Sequence, residues 1–323
     1  MASFTLDDLI NLEETKVSRD PSSYITYLYG AVKCGKTTFA RDAGALIIAC
    51  EDGTRAMSGA YRQIVKSWSD IKAIVKYLKD PRLKEKYKAV AFDTIDIAGA
   101  LCEKYVCSQL EIETLGEGGW SKNGWATFKK ELTDVFNTIS VEGYAIIFIS
   151  HDKEKLITRP DGTEFTKIVP SASESISSIV KGMSDMIIYG YQEYGTDKRY
   201  MVLRSDQTIE AGTRFPYMKE KIPFGYDHLV KALNDAIDEE EKHGGQITEE
   251  RTIAQNEEEV PFDAIMSDLQ NTINTLMSKD TANADKIKAI VERYLGKGKK
   301  VSDCTEKQQE VVEFVLSELK DLL

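Results

Sequence analysis

Gly30-Ala31-Val32-Lys33-Cys34-Gly35-Lys36-Thr37-Thr38 fits the pattern G-x-x-x-x-G-K-[ST]. The apolar run Tyr24-Ile25-Thr26-Tyr27-Leu28-Tyr29 leads into it, and a helical pattern opens near Thr37. A strand, a glycine loop and a helix in that order place backbone N–H groups and a helix N-terminus around a phosphate. In such a loop Lys36 reaches the β- and γ-phosphates and the Thr37 hydroxyl holds Mg²⁺. The stretch therefore predicts a nucleoside triphosphate site with ATP and Mg²⁺ as cofactors.

Working outward, apolar runs at 24–29, 45–50, 89–92, 144–149, 186–189 and 200–203 alternate with helical patterns near 37–43, 69–79, 95–110, 123–141 and 173–182. The early runs are continuously apolar, as in strands buried on both faces of a parallel sheet. That alternation predicts an α/β domain with a central, mainly parallel sheet flanked by helices, over residues 23–236. Residues 1–22 read as an N-terminal extension with a short amphipathic piece (Phe4, Leu6, Leu9, Ile10). Residues 237–261, with Asp238-Glu239-Glu240-Glu241 and Gly244-Gly245, read as an acidic flexible linker. Residues 262–323 carry three amphipathic stretches, a small α-helical C-terminal module suited to docking a partner.

Composition narrows the class. Hydrophobic residues make up 42% of the 323, ordinary for a globular protein. No apolar run is long enough to span a bilayer, and the start of the chain has no basic flank followed by an apolar core. The five cysteines form no CxxC pair, which predicts reduced thiols in a cytoplasmic setting. A net charge of −11 speaks against a general electrostatic grip on nucleic acid, although much of the acid is concentrated after residue 237.

Three further residues refine the nucleotide site. Glu51 directly follows the second strand, where a carboxylate either orients an attacking water or is a solvated loop acid. Asp93 ends Ala89-Val90-Ala91-Phe92-Asp93-Thr94, the Walker B pattern, and would hold Mg²⁺ through water. Thr94, rather than Glu, comes next, which sets the chain apart from AAA+ and helicase arrangements and favours Glu51 as the catalytic acid. His151 ends Ile146-Ile147-Phe148-Ile149-Ser150-His151 at the tip of a strand, and is either a γ-phosphate sensor or a structural histidine.

Together these residues resemble the RecA-like P-loop NTPase core. Tyr-Ile-Thr-Tyr-Leu-Tyr-Gly entering the P-loop, Gly124-Trp125, and Ile-Ile-Phe-Ile-Ser-His-Asp-Lys-Glu-Lys are more similar still to the short RecA-like ATPases of bacteriophages, described as phage nucleotide-binding proteins or single-strand annealing ATPases. The resemblance covers about residues 22–230. His151 stands where RecA has Gln, and the tail after 237 matches nothing assignable.

The resemblance implies ATPase chemistry (ATP and water to ADP and phosphate) stimulated by single-stranded DNA, a homo-oligomer, a single-stranded DNA-binding protein as partner, and no membrane. RecA-like proteins bind DNA through two loops, here about 111–124 and 152–172. The first carries Trp120, Lys122 and Trp125, and the second Lys153, Lys155, Arg159 and Lys167. Stacking faces and phosphate contacts suit single strands, while core tryptophans and a β-hairpin with solvated lysines are the plainer alternatives. A cation from a neighbouring subunit often completes such a site, and Arg204 and Arg214 are the candidates. Gly212-Thr213-Arg214-Phe215 is similar to the Lys-Asn-Arg-Phe-Gly motif of RadA-type proteins without its leading Lys. A competing reading is a nucleotide-dependent adaptor or assembly factor of phage replication that does not touch DNA.

Overall fold

A computed structural model describes residues 10–51, 57–117, 119–252 and 260–323. The strands are β1 (Val17–Ser18), β2 (Thr26–Gly30), β3 (Ala45–Ala49), β4 (Tyr61–Ile64), β5 (Ala89–Asp93), β6 (Ala145–Thr158), β7 (Glu164–Pro170), β8 (Met186–Gln192), β9 (Arg199–Val202), β10 (Gly212–Thr213), β11 (Lys221–Pro223) and β12 (Ile247–Thr248). The helices are α1 (Lys36–Asp42), α2 (Trp68–Tyr77), α3 (Pro81–Lys86), α4 (Ile95–Leu110), α5 (Gly119–Lys122), α6 (Gly124–Val141), α7 (Glu174–Met183), α8 (Tyr226–Lys242), α9 (Phe262–Lys279), α10 (Asn283–Leu295) and α11 (Gln309–Lys320).

The main sheet runs β11-β9-β8-β2-β6-β5-β3-β4, with β10 added to β8 and β7 to β6. Pairing is parallel from β8 through β4, while β9, β11, β10 and β7 join antiparallel. This is the expected α/β architecture with a mainly parallel sheet. Its middle strands are apolar on both sides because helices cover both faces. Tyr27, Phe92, Ile146 and Phe148 pack beneath α2, α4, α6 and α7. Leu28, Ile47, Ala91, Ile147 and Ile188 pack against α1 and α8. Local chemistry starts the helices where the strands release the chain. Ser67 and Asp70 close a capping box on α2, and Asp80 caps α3 with Pro81 at its first turn.

One expectation needs correction. The acidic run 238–241 is not linker but the last turn of α8, which continues to Lys242. Arg19 reaches across to Asp238 (2.6 Å), Glu241 (3.0 Å) and Glu249 (3.1 Å), and β12 pairs in parallel with β1. Arg19 of the N-terminal extension thus pairs with acids that made this stretch look unstructured, and residues 15–22 and 237–252 belong to the same compact unit as the sheet. Phe4, Leu6 and Leu9, and the second acidic run Glu257-Glu258-Glu259, lie outside the described residues.

Residues 260–323 belong to a separate compact unit. Its three helices match the three amphipathic stretches and bury Ile265, Leu269, Leu276, Val312, Val315, Leu316 and Leu319 in a core of their own. Tyr294 Oη donates to Glu318 Oε1 (2.6 Å), and Lys320 pairs with Asp268 (2.8 Å).

Phe148 is fully buried and meets Tyr27, Phe92 and Phe136 edge-on or stacked, at centroid distances of 4.8–6.4 Å. Phe148→Ala is expected to lower unfolding free energy by about 3–5 kcal/mol. Denaturant unfolding measures it, and a loss under about 1 kcal/mol would contradict this packing.

Candidate nucleotide site

The C-terminal ends of the parallel strands converge. Gly30 stands opposite His151 in the β2–β6 pairing, and Asp93 is opposite Ile149 in the β5–β6 pairing. Because β6 lies between the P-loop strand and the Walker B strand, His151 is delivered between the two. β3 pairs with β5 so that Ala49 faces Asp93, and the chain then releases Glu51 at the same edge.

The P-loop backbone is shaped by its glycines. Gly30 has φ +153°, and a Cβ there would lie 2.0 Å from the Gly190 carbonyl oxygen. Gly35 has φ +114°, and a Cβ there would lie 2.9 Å from the Phe224 ring. Only glycine fits either position. Lys33 takes φ +65° within the same loop. Lys36 is buried and its Nζ donates to the carbonyls of Gly30 (2.7 Å) and Ala31 (2.8 Å). Cys34 is buried beside it, and burial raises its thiol pKa.

Val32, Gly35, Lys36, Thr37, Thr38, Glu51, Asp93, Thr94 and His151 line one cavity of about 350 Å³, with Arg199 on its wall. Thr37 Oγ1 donates to Asp93 Oδ2 at 2.7 Å. Burial pushes the Asp93 carboxyl above its ordinary pKa, and the Thr37 hydroxyl and Lys36 oppose that shift. Thr94 Oγ1 donates to Glu51 Oε1 at 3.2 Å, and His151 Nε2 lies 4.0 Å from the same oxygen. Glu51, Asp93 and His151 therefore form one cluster, with Thr94 holding the Glu51 carboxylate. The Asp93–Thr94 peptide is cis.

These residues fit a Mg²⁺–nucleotide. The glycine cradle has no room for side chains, the cavity is of small-molecule size, and hydroxyl plus carboxylate oxygens are the ligands that Mg²⁺ takes beside phosphate. Among the described residues no group of three or more His, Cys, Asp or Glu is placed to hold a metal ion without such a ligand.

The AAA domain pattern matches residues 22–215, which span every element of this site. The chain belongs to the AAA domain family. It is similar to the SPbeta prophage-derived uncharacterized protein YorG of Bacillus subtilis strain 168, at 27% identity over 329 residues and 98% of each chain. A crystal structure of the RadB recombinase aligns at 15% identity with a TM-score of 0.37, over 64% of this chain and 90% of that one. Within this AAA domain the carboxylate beside the Walker B aspartate comes from the end of β3, because Thr94 occupies the position after Asp93.

Other expected residues stand elsewhere. Arg204 donates from Nε to the Met218 carbonyl (2.9 Å) and from Nη2 to the Pro216 carbonyl. Arg214 pairs with Asp185 (2.9 Å) and donates to the Gly182 carbonyl (3.0 Å). Neither lines the cavity, and each is engaged by carbonyl or carboxylate groups of its own chain. Lys122 Nζ donates to the carbonyls of Leu110 (3.0 Å) and Glu111 (2.9 Å), closing the C-terminus of α4. Trp125 is 48% exposed and meets Phe128 edge-on. The side chain of Trp120 lies outside the described residues.

The segment 152–172 is the outer half of the β6–β7 hairpin, the β-hairpin alternative named for it. Lys155 faces Lys167 across it. Lys153 donates to the carbonyls of Ser171 (3.0 Å) and Ala172 (3.2 Å), and Lys155 reaches Glu174 (3.4 Å). Arg159 donates to Gln207 (2.8 Å) and lies 4.7 Å over the Phe165 ring.

Sequence reading missed Arg199. The only signal was its place at the start of the Arg199-Tyr200-Met201-Val202 run, and nothing local showed that an antiparallel return would carry it back to the P-loop. All five cysteines are free thiols, and among the described residues no helix is long and apolar enough to cross a membrane.

Arg214→Ala leaves Asp185 half-buried, accepting from Ile25 N (2.8 Å) with its cation gone. Burial already raises the Asp185 pKa, and Arg214 opposes the rise by favouring the ionised form. The variant is therefore expected to lose up to about 1 kcal/mol more above that pKa than below it, an exposed-pair magnitude, while the hydrogen bond to the Gly182 carbonyl is lost at every pH. Thermal unfolding across pH 3–8 reads the difference; an equal loss at all pH would rule out this ion pair as the cause.

Proposed function

We propose that the chain is an ATP-binding and ATP-hydrolysing RecA-like phage recombination protein. It acts as a homo-oligomer on single-stranded DNA, in annealing, strand pairing or loading, with a single-stranded DNA-binding protein as partner. The observation that carries the enzymatic part is the convergence of Lys36, Thr37, Asp93, Glu51 and His151 on one cavity.

In this reading Lys36 exchanges the Gly30 and Ala31 carbonyls for phosphate oxygens. Thr37 and Asp93 hold Mg²⁺, which supplies charge neutralisation at the phosphates. Glu51, kept in place by Thr94, orients a water and takes its proton. His151 senses the terminal phosphate. Its strand continues without a break into the β6–β7 hairpin, and Ser171 N returns to the His151 carbonyl (2.8 Å) at the hairpin base. A shift at His151 therefore moves a structured arm bearing Lys153, Lys155, Arg159 and Lys167, where a single strand would contact it. The phage setting draws on the prophage-derived relative.

One observation favours the adaptor reading. Lys122, Lys153, Lys155 and Arg159 are engaged within the chain, and the net charge is −11.

ATP turnover with and without single-stranded DNA separates the two. Lys36→Ala is expected to lose nucleotide binding. Glu51→Gln is expected to keep binding while turnover falls about a hundredfold or more. Stimulation by DNA that both variants lack supports the DNA motor. Hydrolysis indifferent to DNA, with no DNA binding at low salt, would leave the adaptor. On the motor reading, Lys155→Glu with Lys167→Glu weakens DNA binding and lowers its salt dependence by roughly one unit of log–log slope per lost phosphate contact.

A further inference from the structure

Arg199 opens β9, paired with Gln192 at the mouth of the β8–β9 hairpin. Alternation along β9 sends Tyr200 to the face where it meets Tyr191. Its neighbour Met201 packs in the cluster holding Leu28 and Ile188, on the side of the P-loop helix. Arg199 shares that side, and its Nη1 lies 3.4 Å from where a Gly35 Cβ would stand.

Two cavities meet at this arginine. The first, with Glu51, Asp93 and His151, is the phosphate site described above. The second, of about 370 Å³, shares Gly35, Thr38 and Arg199 with it and is walled by Phe224, Gly225, Asp42 and Asp197. Glu51, Asp93 and His151 line the first cavity alone, so the reacting phosphate belongs there. A nucleoside would leave the loop where the cavities join, at Gly35, Thr38 and Arg199. Unlike those of Arg204 and Arg214, the guanidinium of Arg199 has no hydrogen bond or ion pair among the described residues, although its backbone carbonyl accepts from Phe224 N (2.9 Å). A free guanidinium presents a planar fork of donors suited to phosphate oxygens, and here it is placed at the nucleoside end of the loop.

We propose that Arg199 binds the nucleotide of its own chain at the α-phosphate, the one nearest the nucleoside, with the second cavity seating the nucleoside against Phe224. The inference rests on the nucleotide reading and goes beyond it in assigning this cation a role in cis. It contacts groups common to ATP and ADP and distant from the reacting bond, so it governs affinity rather than turnover.

The test uses the full chain and fluorescent ATP and ADP analogues, with steady-state turnover measured alongside. Arg199→Ala is expected to weaken both nucleotides alike by roughly ten- to hundredfold, the range for a hydrogen bond to a charged group. KM should rise accordingly, while kcat at saturation stays within about twofold. Arg199→Lys should restore part of the affinity, since it keeps the charge but not the fork. Arg199 is exposed, so Arg199→Ala is expected to keep the thermal midpoint of the unmodified chain. Wild-type affinity for both nucleotides in Arg199→Ala, or a loss confined to ATP or to kcat, overturns the assignment. If Lys36→Ala loses binding while Arg199→Ala does not, only the role of Arg199 falls. If the unmodified chain binds neither nucleotide, the nucleotide reading falls and takes this one with it.

Discussion

Parallel backbone pairing of β2 with β6 and β8, continued through β5 and β3, is the constraint on which the rest of the structure depends. Its register sets Gly30 opposite both His151 and Gly190, and Asp93 opposite both Ile149 and Ala49. Strands paired in this way end at a common edge, and β3, β5 and β6 each exchange an apolar run for a polar residue at or just beyond it. A slip of one residue on any of them would turn its buried side chains to the opposite face. The apolar packing on both faces therefore holds the site chemistry in place, although no site residue contributes much to it. The Gly30–Gly190 approach is part of the same constraint, since a Cβ on Gly30 would collide with the Gly190 carbonyl.

Around that edge the charges are arranged for an anion and a cation together. Lys33, Lys36 and Arg199 face Glu51 and Asp93 across one cavity. Burial works against ionised Asp93, and a bound cation would relieve that cost. Behind the cavity, Ser171 Oγ donates to Asp96 Oδ1 and lies 3.1 Å from Ser150 Oγ. This polar knot ties the first turn after the Walker B strand to the base of the β6–β7 hairpin. It gives the hairpin a second, hydrogen-bonded connection to the nucleotide edge besides the continuous strand.

Much of the fold and site was legible along the chain. The P-loop, Asp93, Glu51 and His151 each sit at or just beyond the end of an apolar run, so strand prediction and site prediction were the same act. The DNA-loop and arginine readings leaned on resemblance, and the structure adds partners within the chain that no local pattern shows. Lys122 proved to be a helix cap, and Arg204 and Arg214 are held by Met218, Pro216, Asp185 and Gly182. Those partners lie from about a dozen to about thirty residues away, beyond any local pattern. The acidic run at 238–241 misled for a related reason. Composition marks it as solvated, but Arg19, more than two hundred residues earlier, completes it.

By itself the sequence determined the alternation of strands and helices, the phosphate loop, and which carboxylates and histidine stand at strand ends. These follow from periodicity and from glycine geometry, properties of short stretches. Only the tertiary structure decided strand order, which inserts β6 between the P-loop and Walker B strands and so brings His151 to Glu51. It likewise decided the antiparallel return that carries Arg199 to the P-loop. Both depend on which distant backbones share hydrogen bonds, and that choice is made by the packing of the whole sheet between its two layers of helices.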